Sequence, residues 1–346
     1  MFRRTTLLLV LALALPAPSP AATAPASSSH DFDWNFGTWK TDIKRLLHPL
    51  SGATNWVAYE GTVTVRPLLG GIANIEVVEA DGPSHIELLD IRTYDPRSHQ
   101  WIENGTSSRS GTLGVPAFGT FHDGRGIFYD QESFHNVTIL VRQIFSDITA
   151  NSYAFEQAFS TDGGQTWEPN FRANLGRTSS SRGPERAGDA ADAAHDFDFN
   201  EGTWRTHIRD LRESTAMPAW ARQTGTVTVT KVWGGNAFVE EISVGGADGF
   251  SGITLYLYDS QARQWSQTFA DAADGRFEAP MIGSFSHGRG VLIVQRLYNG
   301  QMVLERGVWS DIRANAHSFQ IEISENGGTS WHPVFVASLT RLNSQR

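Results

Sequence analysis

The chain carries one domain-sized pattern twice. His-Asp-Phe-Asp-Trp-Asn-Phe-Gly-Thr-Trp, from His30 to Trp39, returns as His-Asp-Phe-Asp-Phe-Asn-Glu-Gly-Thr-Trp from His195 to Trp204. The offset is 165 residues there and, after a one-residue deletion, settles at 164. Gly61-Thr62-Val63-Thr64-Val65 becomes Gly225-Thr226-Val227-Thr228-Val229, and Gly124-Arg125-Gly126 becomes Gly288-Arg289-Gly290. Tyr94-Asp95 becomes Tyr258-Asp259, and Gly163-Gly164 with Trp167 becomes Gly327-Gly328 with Trp331. Such a period is too long for a solenoid unit and suits a whole domain. The expected organisation is therefore a signal peptide at 1–21, one repeat at 30–178, a linker at 179–194 and a second repeat at 195–342. Each copy, at roughly 150 residues, is large enough to bury its own core.

The first residues have the layout of an export signal. Arg3 and Arg4 precede an apolar run from Leu7 to Leu15, and Ser19-Pro20-Ala21 offers a cleavage site. The apolar run is too short to span a bilayer, so no transmembrane segment is expected in the mature chain. The chain has no cysteine, which removes disulfides, thiol chemistry and a lipid-modified cysteine. A periplasmic or secreted location follows as the expectation. Ala22 to Ser29 reads as a mobile leader. Ser179 to Pro184, followed by Glu185 to Ala194, is poor in apolar bulk and reads as a linker that lets the copies move unless their surfaces pack.

Within each copy the dominant hydrophobic period is two, as in Thr62-Val63-Thr64-Val65, Ile75-Glu76-Val77 and Thr138-Ile139-Leu140-Val141-Arg142. Turn signals at Gly70-Gly71, Asp81-Gly82-Pro83, Asp95-Pro96, Asp123-Gly124 and Asp162-Gly163-Gly164 punctuate these runs. Strands eight to twelve residues apart predict an all-β fold, with each copy an antiparallel sandwich or closed barrel. Thr41 to Leu47 and Thr206 to Arg212 are the only helical candidates, and both are short enough to be strands instead.

Gly37-Thr38-Trp39 and Gly202-Thr203-Trp204 carry a resemblance. A Gly-x-Trp followed by about eight strands resembles the calycin plan of lipocalins and fatty-acid-binding proteins. The wider pattern resembles exported bacterial barrel domains of the DUF1579 type, whose function is uncharacterised. The resemblance implies two tandem calycin-like β-barrels, with Trp39 and Trp204 plugging a closed end. It also implies that an arginine near the end of each copy, Arg177 and Arg341, packs across that tryptophan.

Glu76 and Glu240 correspond, as do Arg142 and Arg306, and each lies amid apolar strand residues. If they face inward, each barrel holds a Glu–Arg pair, either structural or an anchor for a ligand carboxylate. Trp101 and Trp265, also repeated, join these four as candidate ligand contacts, the 11 Trp and 20 Phe being a supply for an apolar pocket. A catalytic carboxylate pair of Glu76 with Glu60 or Asp90 stays open.

Ser160-Thr161-Asp162-Gly163-Gly164-Gln165-Thr166-Trp167 matches the Asp-box of sialidases, but its single occurrence per copy suits a turn device better than a glycosidase propeller. The 11 histidines show no metal spacing, and no strand histidine recurs as a haem ligand would, so no metal and no cofactor are expected. His30 and His195 suit capping contacts with the neighbouring Asp31 and Asp196. With 28 basic and 37 acidic residues, net charge −9, and no basic run, nucleic acid is not an expected partner. Nothing in the sequence sets the oligomeric state. The leading expectation is a binder of a small, largely apolar molecule; the others are an enzyme using inward Glu and Arg on a small organic or glycosidic substrate, and a scaffold of filled barrels.

Overall fold

The computed structural model describes residues 27–179, 195–212, 219–298 and 300–342. The signal-peptide reading, and all of the linker reading except Ser179, lie outside them. The described chain forms two closed antiparallel barrels of ten strands each, rather than about eight.

Barrel one comprises β1 (Gly37–Leu46), β2 (Trp56–Leu68), β3 (Ala73–Asp81), β4 (His85–Asp95), β5 (Gln100–Ser107), β6 (Ala117–His122), β7 (Arg125–Phe134), β8 (Val137–Ser146), β9 (Ser152–Ser160) and β10 (Glu168–Ser179). Barrel two repeats the plan with β11 (Gly202–Arg212), β12 (Ala219–Val232), β13 (Ala237–Val244), β14 (Ser251–Asp259), β15 (Gln264–Asp271), β16 (Met281–Ser286), β17 (Arg289–Tyr298), β18 (Gln301–Arg313), β19 (Ala316–Ser324) and β20 (His332–Arg341). Each strand pairs with the next, and the first closes on the last, so no edge is left open.

The two helical candidates are strands. In β1, Trp39, Thr41 and Ile43 are buried while Lys40, Asp42 and Lys44 are exposed, an alternation that only a pleated strand gives. The β7–β8 turn lacked a sequence signal because its central residues, His135 and Asn136, adopt φ of 49° and 65° without glycine. This is the backbone of a tight hairpin turn with both central residues left-handed.

One end of each barrel is closed by the repeated N-terminal motif. A single 3-10 turn, Asp33–Asn35, tucks Phe32 into the barrel, where it meets Trp101 at 4.9 Å, Phe121 at 4.8 Å and Phe145 at 5.5 Å between ring centroids. The Trp39 indole donates to Asn35 O at 2.9 Å, and the Arg177 guanidinium lies 4.0 Å over its ring. Arg177 also donates to the carbonyls of Ala150, Phe36 and Trp34, tying β10 to the turn. Arg341 lies 4.0 Å over Trp204 and donates to Ala314, Glu201 and Phe199 in the same way. The glycine of Gly-x-Trp is needed twice over. Gly202 has φ 119°, and a Cβ there would come within 2.5 Å of the Arg341 guanidinium.

His30 and His195 do not cap onto Asp31 and Asp196; each bonds the aspartate three residues on, Asp33 and Asp198, at 2.9 Å. The last part of the leader is also fixed. Ser27 is buried, Tyr94 donates to its carbonyl at 2.6 Å, and Trp101 donates to Ser28 O at 3.0 Å.

The two copies pack on each other. Alternate residues of β3 and β4 point outward, yet Ile75, Leu89 and Ile91 are buried, because they meet Val239, Ile253 and Leu255 of β13 and β14 in one apolar cluster. Ile75 pairs with Val239 and Ile91 with Leu255 in the repeat alignment, so the contact is a pseudo-two-fold one built from the same face of each barrel. Reciprocal loops brace it. Gly111 and Leu113, after β5, lean on Asp259 and the shared cluster, while Gly275 and Phe277, after β15, lean on Thr93 and that cluster. Arg97–Asp274 at 2.8 Å, Arg276–Asp95 at 3.3 Å and Arg66–Glu241 at 3.4 Å complete the rim.

Candidate functional site

Beyond the aromatic plug each barrel is hollow. Barrel one encloses about 490 Å3, walled by Ile43, Val63, Val78, Phe145, Phe155 and Phe171, with Glu76, Asp90, Arg92, Glu103, Gln143 and Tyr153 among its polar lining. Barrel two encloses about 420 Å3 in the equivalent place, with Glu240, Thr254, Tyr256, Gln267 and Glu305 among its lining.

In barrel one the pleat sends Glu76 (β3), Asp90 and Arg92 (β4) and Glu103 (β5) inward on adjacent strands; Glu76 pairs with Asp90 and Arg92 with Glu103 in register. Arg92 is 1% exposed. Its guanidinium bonds Glu76 at 3.0 Å, Glu103 at 3.0 Å and the Asn74 amide oxygen at 3.4 Å, and lies 4.8 Å over Phe32. Burial alone would favour losing the Arg92 proton; Glu76, Glu103 and Asp90 outweigh it and raise the pKa. Both ion pairs of Arg92 go to glutamates, which leaves Asp90 outside them. Burial first, then repulsion from Glu103 and Glu76, holds the Asp90 carboxyl well above the usual carboxylate range. Burial also raises Glu103, against the pull of Arg92.

Gly105, opposite Asp90, makes the space: a Cβ there would lie 2.7 Å from the Asp90 carboxylate oxygen. Asp90 lies deep in the barrel yet keeps a surface toward the void, which its neighbours in the wall do not cover. On an adjoining part of the barrel, burial and the nearby Glu132 and Glu103 push Asp130 up to about 7.

Barrel two keeps only one member of this group. Glu240 stands where Glu76 does, and Asn200 reaches it at 3.4 Å as Asn35 reaches Glu76. Thr254, Tyr256, Gln267 and Phe269 replace Asp90, Arg92, Glu103 and Gly105 in the alignment. Tyr256 donates to Glu240 at 2.9 Å and Thr254 does so at 3.1 Å. Burial raises Glu240, and those hydrogen bonds oppose it. Nearer the mouth, Arg296 bonds Glu278 at 2.7 Å and Glu305 at 3.1 Å. His317, in the place of Tyr153, is buried 4.4 Å from the Trp204 ring; desolvation, then Arg341, pushes it down to about 4.

Of the six candidate ligand contacts, Glu76 and Glu240 line the cavities. Arg142 and Arg306 do not, and neither pairs with its glutamate. Their neighbours Gln143 and Gly307 take the inward positions, and a strand cannot point adjacent side chains the same way. Arg142 lies 4.4 Å over Trp167, and Arg306 lies 4.1 Å over Trp331 and bonds Glu322. The repeated arginines thus accompany the repeated Asp-box tryptophans on the outer surface. Trp101 and Trp265 belong to the closed-end packing rather than the cavity walls.

Glu60 is also outward, 3.4 Å from Lys40. In the Asp-box, Asp162 accepts from Thr166 and Ser160, which hold its carboxylate down to about 2, and Trp167 donates to Gly164 O at 3.0 Å. Each of these hydrogen bonds is local, as in a turn. Arg92 has no arginine counterpart in the second copy, where Tyr256 takes its place, so the repeat does not single it out. The alternation Leu89-Asp90-Ile91-Arg92, with apolar partners that turn out to face the other barrel, was the available clue.

Among the described residues no helix is long and apolar enough to cross a membrane. No protein-family model and no curated protein matches the sequence. Among solved structures the chain is similar to a protein of unknown function from the DUF3598 family of Nostoc punctiforme, at 12% identity over 91% of this chain and 99% of that one, with a TM-score of 0.26. It is also similar to an AttH-like protein of Nitrosomonas europaea, at 11% identity over 95% of this chain and 99% of that one, with a TM-score of 0.18.

Proposed function

We propose that the protein is an exported binding protein that holds a small, largely apolar molecule, with barrel one as the principal site. The observation that carries this reading is the cavity of about 490 Å3, with aromatic and aliphatic walls and a few convergent polar groups at its base. That is the composition and size of small-molecule sites in general. Export to a periplasm or to the outside rests on the N-terminal sequence pattern. Kinship with the DUF1579-type barrels rests on the Gly-x-Trp motif, which in both copies meets a stacked arginine.

The test is native mass spectrometry and absorbance of protein purified from the compartment it is exported to. A small co-purifying mass, lost on denaturation and reduced in an Ala173→Phe variant that narrows the cavity, is the expected result. A chain that carries nothing and takes up no apolar probe would overturn the reading and favour a scaffold that works through its rims.

A second reading, catalysis by proton transfer, is favoured by one feature. The Asp90 carboxyl keeps its proton well above the ordinary range and lines the cavity, the state a general acid needs. Conversion of a bound small molecule that Asp90→Asn abolishes without loss of binding would select it over binding alone.

A further inference from the structure

We infer that the barrel-one cavity is built for a small organic cation, an ammonium or amidinium group on an apolar body, received by Glu103 and Asp90. The inference rests on the reading of barrel one as a binding cavity and adds the chemical class of the ligand.

Three observations carry it. First, the acids outnumber the base: Glu76, Asp90 and Glu103 line the cavity floor against Arg92 alone, and a bound cation would favour release of the proton that Asp90 holds in the empty cavity. Arg92 is already committed to Glu76, Glu103 and Asn74, so it is poorly placed to receive a ligand carboxylate. Second, three cavity-lining side chains have a buried oxygen with no hydrogen-bond partner: Glu103 Oε2, Gln143 Oε1 and Thr41 Oγ1. Glu103 is 4% exposed. A buried acceptor without a donor is costly, and a ligand bringing several N–H groups is what would satisfy these. Third, the rings of Phe155 and Phe171 line the wall, and aromatic rings attract a cation as well as an apolar body.

Arg45 and Arg109 at the mouth oppose a cation, but both are exposed, where solvent screens them, whereas the acids act in a low-dielectric interior. A metal ion fits less well, since no group of three metal-ligating side chains is close enough together among the described residues. Barrel two, with Thr254 and Gln267 in place of Asp90 and Glu103, keeps only Glu240 of this floor cluster, and Glu278 and Glu305 among its other lining acids are paired with Arg296.

The experiment is calorimetric titration of the whole chain with three probes that share one body: 2-phenylethylammonium, 2-phenylethanol and 3-phenylpropanoate. The amine is expected to bind at least about tenfold tighter than either of the others, the scale of one charge-assisted hydrogen bond. Asp90→Asn and Glu103→Gln should each reduce that preference severalfold, while Arg306→Ala, on the outside of barrel two, leaves it intact.

Equal or tighter binding of the alcohol or the acid overturns the inference and keeps the binding reading. Binding of none of the three overturns both. A preference that survives in both cavity variants, shown folded by their thermal transitions, also overturns it. The comparison of the three probes in the unaltered chain decides the matter even if the variants do not fold.

Discussion

Two buried groups set opposite pH responses in the two barrels. The Asp90 pKa is raised by folding, so between the ordinary carboxylate range and that raised value the folded chain holds a proton that the unfolded chain has released. The stability attached to that proton falls as pH rises through this window and is fullest below the ordinary carboxylate range. Urea unfolding of Asp90→Asn at pH 5 and pH 7.5 should therefore show a smaller loss toward high pH than the unaltered chain shows; an unchanged loss would mean that Asp90 ionises freely.

His317 runs the other way. Its pKa is lowered from 6.5 to about 4, so in that window the unfolded chain binds the extra proton and stability is lost on acidification. The shift corresponds to at most about 3 kcal/mol. His317→Tyr, which installs the side chain found at the same place in barrel one, should remove a loss of that order between pH 7 and pH 4. Equal acid sensitivity in both proteins would show that His317 is protonated in the folded state.

At the scale of single elements, the Gly-x-Trp turn and the Asp-box hairpin are separate devices that each enlist an arginine. Trp39 is fully buried beneath Arg177, so Trp39→Ala should cost about 3–5 kcal/mol in barrel one, the range for a buried aromatic, measured by denaturant unfolding. A cost below about 1 kcal/mol would contradict the packing.

Arg142 over Trp167 is a surface stack, and a double-mutant cycle of Arg142→Ala with Trp167→Phe should give a coupling of only about 0.5–1 kcal/mol. The period of two, the main turns and the repeat were legible because each depends on local sequence alone. Which charge faces inward was not. In Thr138 to Arg142 the register had to be known before Arg142 could be assigned to the outside, and a one-residue slip reverses every side chain. The Glu76 direction could be read from Ile75 and Val77 only by knowing that a second barrel buries them, since on one barrel alone those residues would claim the core.

The whole molecule follows from that second buried face. Outward Ile75, Leu89 and Ile91 would be an apolar patch on an isolated copy, and so would Val239, Ile253 and Leu255; together they form an interior. Large exposed patches of this kind mark association surfaces. The arrangement has the form of a two-fold dimer contact carried within one chain, with Gly111 and Gly275, aligned in the repeat, at the tips of the reciprocal loops. Freedom of the copies to move, which a polar linker permits, is therefore removed by packing rather than by the connection.

A chain cleaved between residues 181 and 190 should stay together as a one-to-one pair in size-exclusion chromatography at micromolar concentration, and Ile91→Asp or Leu255→Asp should release the halves. In the uncut chain the same substitutions should split a single unfolding transition into two, because a charge buried in the shared cluster uncouples the barrels before it disturbs either interior. Halves that separate without any substitution, each folded and monomeric, would show that the contact contributes little and that each barrel stands alone.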